Sequence, residues 1–352
     1  MNSANRFALG VWMLLLIVAL SFFSSCDQKP RTLGSVDRVI TLADSTLWLQ
    51  IEPLVRSAVE REKFTPQPEK MLNVVVQPPS AIGNLKRYPH ILFISTLDSK
   101  GADKQIVDQL LTPAARERVE QDSSFLFQKK DAWSRGQLLV AVIGRDLETL
   151  KSRLATNGEV IFNIINGHAN SIVQQSLYSS HEQFDIEKQI LDSQGYQIRV
   201  QHDYIVAVDS AAARFLWLRR LGSLGDQRNL AVYWEPCEDP SMLSREWMIA
   251  NRNRLAADHF GGDIIYEDEQ IRIEEQDVEF KELYAIRLDG VWLNEQYSVG
   301  GPFRTYGFFS PHDNRLYLID LSVLRPGERK WLFMRQLDQM ANTFKTAAQL
   351  VM

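Results

Sequence analysis

The amino-acid sequence predicts a mixed fold, α+β or α/β, on three observations. Short apolar runs alternate with amphipathic helical segments through the N-terminal half. Alternating apolar and polar residues indicate successive strands between residues 283 and 321. An apolar stripe at helical spacing then joins Phe333, Leu337, Met340 and Phe344. We therefore expect strand–helix units in the N-terminal half, and an antiparallel meander with a C-terminal helix in the C-terminal half.

The N-terminal half is predicted to begin with a strand over 36–43. Asp44 and Ser45 follow as caps of a helix, because their side-chain oxygens accept from free backbone N–H groups. That helix carries Leu47, Trp48, Ile51, Leu54, Val55 and Ala58 at close to helical spacing. Further strands are expected over 72–76, 90–95, 138–143 and 160–165, and further helices over 104–111 and through Leu147, Leu150 and Leu154.

The C-terminal half is predicted to contain a strand over 205–208, with Asp209 and Ser210 capping a helix that bears Leu216–Leu218. A strand, an Asp-Ser cap and Leu-Trp-Leu also occur near residue 44. This hints at a duplicated unit, although any capped strand–helix unit has this form.

Asp289-Gly290 is a type I′ turn signal, so a hairpin is expected to pair 283–288 with 291–295. Strands over 303–309 and 315–321 follow, and a helix begins after Pro326-Gly327.

Composition and charge exclude several classes of protein. The 352 residues are 45% apolar and 24% charged, with 39 basic and 44 acidic residues and a formal charge of −5. This composition and length fit about two globular domains. The 18 glycines and 13 prolines show no period, so the composition is neither collagen-like nor disordered. A mildly acidic chain disfavours a nucleic-acid partner, and two cysteines cannot form a disulfide-rich scaffold.

The first residues have the pattern of a secretory signal peptide. Arg6 precedes an apolar stretch from Leu9 to Phe23, which is shorter than the roughly 20 residues that span a bilayer. Ser24 and Ser25 then precede Cys26, and this resembles the bacterial lipoprotein box, although Phe23 stands where that pattern usually has leucine.

We expect residues 1–25 to be removed and Cys26 to carry a diacylglycerol thioether. Each buried CH₂ contributes about 0.8 kcal/mol, so two or more acyl chains anchor a protein to a membrane that it does not span. An uncleaved anchor helix and signal cleavage without lipid are the alternatives. Residues 26–36 are predicted to form a polar tether, 37–167 an N-terminal α/β domain, 168–200 a helical connector and 201–352 a C-terminal α+β domain.

Several segments together resemble a bacterial lipoprotein family known as domain of unknown function 4837. They are Gly300–Phe303, Arg325–Lys330, Arg335–Leu337 and Ala341–Phe344, with Gly34–Asp44, Trp48 and Pro78–Pro79 in the N-terminal half. The resemblance spans nearly the whole mature chain. It implies no established activity, and no catalytic residue is carried over from it.

Motifs for catalysis or cofactor binding are not found. The six histidines lack the spacing of paired metal ligands, and His181-Glu182 lacks the second histidine of a zinc-protease helix. The sequence contains no phosphate-binding loop, nucleophile elbow or dinucleotide fingerprint. Cys237 stands among acidic residues that disfavour its thiolate, which favours a structural role. No catalytic residue, metal or cofactor is therefore predicted.

Two segments could carry a binding site. Nine acidic residues between Asp263 and Glu282 could bind Ca²⁺ or serve a glycosidase, whereas the alternation of Ile271 and Ile273 with polar residues favours a solvated face. Paired glycines between strands permit close approach of a ligand, with a bulge or tight turn as the alternative. The predicted binding residues around them are Trp292, Tyr297, Gly300, Gly301, Phe303, Arg304 and Tyr306.

The sequence thus predicts a bacterial envelope lipoprotein, lipid-anchored to a membrane through Cys26, whose folded part binds an envelope protein or another component without catalysis. The alternative is an envelope hydrolase or carbohydrate-processing enzyme that uses acids of the 263–282 segment. The membrane and its side are left open.

Cys26→Ala is expected to abolish incorporation of labelled fatty acid and to leave unprocessed precursor, because the thiol is the lipid acceptor. Mass spectrometry of the N-terminus and membrane fractionation measure this. Cys237→Ala is the matched control and should keep both the lipid and the processing. Unchanged processing and membrane retention in Cys26→Ala would show that this cysteine is not the anchor.

Overall fold

The computed structural model describes residues 29–179, 181–223 and 225–351, so Cys26 and the predicted signal peptide lie outside the described residues. Two sheets organise the chain: a five-stranded, mainly parallel sheet in the N-terminal half and an eight-stranded antiparallel sheet in the C-terminal half. The predicted α+β class is confirmed, with strand–helix units first and the antiparallel meander and C-terminal helix second.

The N-terminal half contains seven named strands and five named helices. In chain order they are β1 (Arg38–Leu42), α1 (Ser45–Val59), β2 (Glu62–Phe64), β3 (Pro68–Lys70), β4 (Asn73–Gln77), α2 (Ile82–Leu85), β5 (His90–Thr96), α3 (Gly101–Leu110), α4 (Pro113–Glu120), β6 (Leu126–Lys130), β7 (Leu138–Gly144) and α5 (Leu147–Leu177). The sheet has the order β4-β1-β5-β7-β6, and only β6 is antiparallel to its neighbour.

Both faces of this sheet are covered. Helices α1 and α5 pack on one face, and α3 and α4 pack on the other. Strands β5 and β7 are buried along their whole length, as expected for parallel strands between two helical layers. The predicted cap is confirmed, because the Asp44 carboxylate accepts from the backbone N–H groups of Thr46 and Leu47 at the start of α1.

The C-terminal half contains the remaining elements. They are α6 (Phe184–Gln194), β8 (Tyr196–Gln197), β9 (Ile205–Ser210), β10 (Phe215–Leu221), β11 (Gln227–Pro236), α7 (Arg245–His259), β12 (Ile264–Tyr266), β13 (Glu274–Phe280), β14 (Leu283–Asn294), β15 (Val299–Ser310), β16 (Arg315–Leu324), α8 (Trp331–Ala341), β17 (Lys345–Thr346) and α9 (Ala347–Val351). The large sheet has the order β12-β14-β15-β16-β11-β10-β9, and β13 also pairs with β14. Helix α7 packs on one face, and α6 and α8 pack on the other.

The predicted strand over 160–165 is wrong, because these residues belong to α5. Ile161 and Ile165 are four residues apart and are both buried, so they continue the face of α5 that packs on the sheet. A short apolar run does not by itself distinguish a buried strand from one face of a helix. Helix α5 also runs past residue 168, where the helical connector was expected to begin.

The predicted hairpin at Asp289-Gly290 is also wrong. Both residues lie inside the continuous strand β14, where they pair with Arg304 and Phe303 of β15. A Cβ atom at Gly290 would lie 2.7 Å from the ring of Phe303, so this glycine permits a close approach between strands. The turn before β14 is formed by Lys281 and Glu282, whose φ angles of 55° and 66° are those of a left-handed turn.

The helix predicted to bear Leu216–Leu218 is a strand, β10, which pairs with β9 in a hairpin. Ser210 Oγ accepts from the backbone N–H of Ala213 at 3.2 Å, a contact that serves a turn as well as a helix cap. The suggested duplication rested on a second strand–cap–helix unit, and this unit is absent from residues 205–221.

The described part of the predicted tether, residues 29–36, lies against the folded N-terminal half. Arg31 forms a parallel bridge with Arg135, and the backbone N–H of Leu33 donates to the Arg87 carbonyl at 2.7 Å. The backbone N–H of Arg135 donates to the Pro30 carbonyl at 2.8 Å. Within the described ranges, no helix combines the length and apolar character that crossing a membrane requires.

Gly290→Ala is expected to lower the free energy of unfolding by about 1–3 kcal/mol, because the added Cβ overpacks against the buried Phe303 ring. Gly83→Ala is the control, since a Cβ there has no neighbour within 4 Å. Denaturant unfolding of both variants measures the difference. A Gly290→Ala protein as stable as the wild type would contradict the close approach.

Candidate functional site

A cavity of about 460 Å³ lies between the two halves of the chain. Helix α5 and strand β2 form one wall, and α8 with strands β13 to β15 forms the other. The lining is rich in cations and side-chain amides, which are Arg61, Lys63, Arg287, Arg304, Arg335, Asn163, Asn166, Asn170 and Gln276. We call this cavity the interdomain cleft. Arginine and amide groups in this number recognise polar ligands by hydrogen bonds and charge.

Four of the five cations in the cleft have acidic partners. Arg61 pairs with Glu159 at 2.7 Å, and Lys63 pairs with Glu274. Asp289 accepts from Arg304 at 2.6 Å and lies 3.3 Å from Arg287, while Asp338 contacts Arg304 at 3.0 Å. Burial acts to lower the pKa of Arg304, but Asp289 and Asp338 hold it above its ordinary value. These cations are therefore largely neutralised within the protein.

Arg335 is the exception. Its side chain is only 3% exposed, and within the described ranges no carboxylate oxygen lies within 4.0 Å of its guanidinium. It donates to Asn166 Oδ1 at 2.7 Å, to Asn170 Oδ1, and to the Met71 carbonyl at 3.2 Å. Its Nε–H has no hydrogen-bond partner. Burial lowers the pKa of Arg335 to about 10, which leaves the group charged at neutral pH.

Trp331 supplies a second unpartnered donor in the same wall. Its indole Nε1–H is buried without a hydrogen-bond partner, and the residue lines the interdomain cleft. Trp331 and Arg335 are four residues apart on α8, so they lie on the same face of this helix. A buried donor left unsatisfied costs about 1–3 kcal/mol.

The position of α8 is fixed by a carboxylate from the N-terminal half. Glu69 on β3 accepts from the backbone N–H of Lys330 at 2.8 Å and from that of Trp331 at 2.9 Å. The Glu69 side chain is buried, and the Thr65 hydroxyl donates to it at 2.5 Å. A negative charge at the N-terminus of a helix also interacts favourably with the helix dipole. Glu69 thereby holds Trp331 and Arg335 at the cleft.

Of the predicted binding residues, only Arg304 lines the interdomain cleft. Trp292 and Phe303 lie on the opposite face of the sheet, in the core with α7. Tyr306 lies on the cleft side, and its hydroxyl donates to Asp338 at 2.6 Å. Tyr297 is 63% exposed. The predicted set is therefore divided between two faces of one sheet.

Gly300 and Gly301 lie inside β15 in regular register with Leu293 and Trp292 of β14. A Cβ atom at Gly301 would lie 1.9 Å from the Val323 carbonyl oxygen, so the glycine admits a neighbouring strand. Neither the bulge nor the tight turn that was the alternative is formed at this pair, and neither residue has a positive φ.

The acidic residues between 263 and 282 are engaged by different partners. Asp263 accepts from Asn294, Glu267 from Arg245, Glu274 from Lys63, and Asp277 from the Tyr284 hydroxyl. Within the part of the chain that the structure describes, no group of three His, Cys, Asp or Glu side chains could hold a metal ion. Glu275 also lies 3.8 Å from Arg245, so Glu267 and Glu275 share this arginine, whereas Asp263, Glu274 and Asp277 have separate partners.

A histidine pair near the cleft was missed by the sequence analysis. His90 Nε2 lies 3.0 Å from His168 Nδ1, and the rings meet edge to face. Burial lowers the pKa of His90 to about 3, with further repulsion from His168 and Arg335. Burial also lowers the pKa of His168. Both imidazoles are thus held neutral, which adds no positive charge beside Arg335.

The residues of the cleft that matter most were not predicted as a site. Arg335 was noted only within the segments that carry the family resemblance, and Asn166 directly follows the segment 160–165 that was predicted as a strand. A signal was present, since Arg335 stands four residues after Trp331 and next to the apolar Met334, on a helix with an apolar stripe. A charged residue at a buried helical position requires a partner, and that partner is not specified by the sequence.

Residues 183–343 match the family model described as Domain of unknown function (DUF4837). The predicted resemblance is confirmed for this part of the chain, which includes its C-terminal motifs as far as Thr343. The matched range does not include the N-terminal segments that were quoted for the resemblance. No curated protein matches the chain.

Three solved structures are similar to parts of this chain. LpqN, involved in cell envelope biogenesis of Mycobacterium tuberculosis, is 10% identical, with 43% of this chain and 82% of that chain covered and a TM-score of 0.28. Cyanobacterial PsbP from Synechocystis sp. PCC 6803 is 17% identical, with 44% and 87% covered and a TM-score of 0.30. A protein from Bacteroides thetaiotaomicron is 5% identical, with 43% and 45% covered and a TM-score of 0.25. Each likeness covers less than half of this chain.

His90 is expected to make the protein less stable as the pH falls below about 6.5. The unfolded chain binds a proton near that pH, whereas the folded chain binds it only near pH 3, so stability is lost across this window. The loss is at most about 1.4 kcal/mol per pH unit. Denaturant unfolding between pH 7 and pH 4.5 measures the slope.

The slope should be shallower in His90→Gln, which removes the titrating group and keeps a polar side chain near His168. His312→Gln, at an exposed position, is the control and should keep the wild-type slope. Equal slopes in wild type and His90→Gln would contradict the assignment.

Proposed function

We propose that this protein is a lipid-anchored binding module of the bacterial cell envelope, whose interdomain cleft receives a ligand with a negatively charged group. The observation that carries the proposal is Arg335, a buried guanidinium in the cleft wall without a carboxylate partner among the described residues. The nearest acid on the same helix, Asp338, contacts Arg304 instead. A carboxylate or a phosphate has the charge and the acceptor oxygens to pair with Arg335.

Electrostatics supports this assignment. Removing a charged group from water carries a penalty of several kcal/mol, which a nearby opposite charge offsets. Proteins therefore pair buried charges as a rule, and the other cations of this cleft follow it. An anion that entered the cleft would give Arg335 the partner that the chain itself does not provide.

The neighbouring groups are suited to the same ligand. Asn166 and Asn170 use their carbonyl oxygens to accept from Arg335, so the NH₂ group of each amide remains to donate. Trp331 adds the indole N–H described above. Donors of three kinds thus line the cleft, the amides from α5 and the indole and guanidinium from α8. Such a set recognises an oxyanion and does not by itself supply a nucleophile or a general base, which favours binding over catalysis.

The membrane anchor is supported by the Ser24-Ser25-Cys26 sequence and by the lipoprotein family that the C-terminal segments resemble. A lipid on Cys26 would keep the cleft close to a membrane surface. An envelope protein that presents an acidic side chain or its C-terminal carboxylate fits the site, as does a small phosphorylated or carboxylated molecule.

Inorganic phosphate and acetate, compared with chloride at equal ionic strength, are the probes for this site. Either anion is expected to raise the melting temperature of the wild type, by an increment equivalent to about 2.7 kcal/mol at a concentration of 100 times Kd. Arg335→Met should lose this response, because it keeps the apolar stem and removes the charge.

Arg254→Met is the matched control, since Arg254 is an exposed arginine of α7 outside the cleft, and it should respond like the wild type. Equal responses of wild type and Arg335→Met to both anions would overturn the proposal.

A further inference from the structure

The point at which a membrane anchor would join the folded body is fixed by the N-terminal contacts. Three peptide steps separate Cys26 from Lys29, and an extended chain spans at most about 3.6 Å per residue. Lys29 Nζ donates to the Asp131 carbonyl at 2.7 Å, and Pro30 and Arg31 are bound to Arg135. A lipid on Cys26 would therefore lie within roughly 11 Å of the Lys29 backbone.

The surface around this point is strongly basic. Three segments meet there, namely 29–33, 83–88 before β5 and 129–136 before β7, and Asp131 is the only acidic residue in them. The exposed cations around this point, which we call the basic face, are Lys29, Arg31, Lys86, Arg87, Lys129 and Lys130. Lys129 and Lys130 are consecutive on the edge strand β6, so they extend the positive charge to both sides of that edge. This concentration contrasts with the formal charge of −5 on the whole chain.

Apolar and aromatic groups accompany these charges. The Leu33 side chain is 57% exposed although it is aliphatic. Trp133 is half-buried in the 129–136 segment, and Lys86 Nζ lies 5.9 Å from the centre of its ring. Tryptophan beside lysine and arginine is the combination that proteins place at the interface between lipid headgroups and acyl chains.

We propose that the basic face lies on the bilayer surface and binds anionic lipid headgroups. Its orientation toward the membrane rests on the lipid anchor of the proposed function, because the anchor places these cations next to the headgroups. Charge complementarity gives the second argument, since exposed lysines and arginines near a negative membrane surface each add to the binding free energy. An acyl anchor and a basic surface together hold a protein more firmly than an acyl anchor alone.

The proposal is tested without the lipid, with the chain from residue 27, which retains every described residue. Its binding to vesicles of phosphatidylcholine with 30 mol% phosphatidylglycerol, compared with vesicles of phosphatidylcholine alone, is measured by co-sedimentation. The anionic vesicles are expected to bind at least about tenfold more tightly at low salt, and added NaCl should reduce the difference.

Lys86→Gln/Lys129→Gln/Lys130→Gln should reduce binding to the anionic vesicles by about tenfold or more. The matched control is Lys100→Gln/Lys104→Gln/Lys188→Gln, which removes the same charge from exposed positions outside the basic face and should bind like the wild type. Thermal unfolding of all three proteins confirms that they are folded.

Equal binding to both kinds of vesicle, or equal losses in the two triple variants, would overturn the proposal. Binding to heparin or RNA without binding to anionic vesicles would also overturn it. The outcome is independent of Cys26: a chain that binds anionic vesicles but carries no lipid in cells would refute the anchor and leave the basic face in place.

Discussion

The two halves of this protein are joined by the contact between Glu69 and the N-terminus of α8. The carboxylate comes from a short hairpin in the N-terminal half, and it accepts from backbone groups 261 and 262 residues later in the chain. Water is excluded from this contact, so the N–H groups of Lys330 and Trp331 depend on Glu69 for an acceptor. Next to it, Arg329 donates to Asp37 at 2.6 Å, and Arg335 reaches the Met71 carbonyl. The interdomain cleft exists because this helix is held in place from the opposite half.

The N-terminal backbone of helix α8 is satisfied, but two side-chain donors in its first turns are not. The backbone N–H groups of Lys330 and Trp331 donate to the Glu69 carboxylate, whereas the Trp331 indole N–H and the Arg335 Nε–H have no acceptor. Folded proteins keep very few buried donors in this state. Other buried donors of the described residues also have no partner, Trp292 Nε1 and Arg252 Nη2 among them. Trp331 and Arg335 differ from these two in that they share one helix face and both line the interdomain cleft. Arg304 already has two carboxylate partners, Asp289 and Asp338, so it needs no external acceptor and is not the centre of the proposed anion site.

Local sequence signals correctly predicted the elements whose residues are compatible with only one kind of secondary structure. The Asp44 cap and the apolar stripe of α8 are examples, because each satisfies the helix that contains it. The wrong predictions share a physical cause, because the same local interaction can occur in two different secondary structures. Ser210 accepts from Ala213 in a hairpin turn as it would in a helix cap, and Gly290 accommodates the Phe303 ring where a turn was expected. The cleft could not be predicted at all, because its walls come from segments more than 100 residues apart that only tertiary packing brings together.

The basic face and the cleft are linked by the histidine pair. Lys130, on the basic face, acts with burial to lower the pKa of His168, and Arg335, in the cleft, acts with burial to lower that of His90. The two imidazoles contact each other, so the positive charge of Lys130 and that of Arg335 act on one pair of adjoining histidines. Neutral histidines between them keep the repulsion on Arg335 small, so the guanidinium can stay charged in a buried position. A protonated pair would add two positive charges beside a guanidinium that has no carboxylate in direct contact among the described residues and only the more distant charges of Asp338 and Asp37 to oppose its burial. The fold avoids this by burying His90 completely.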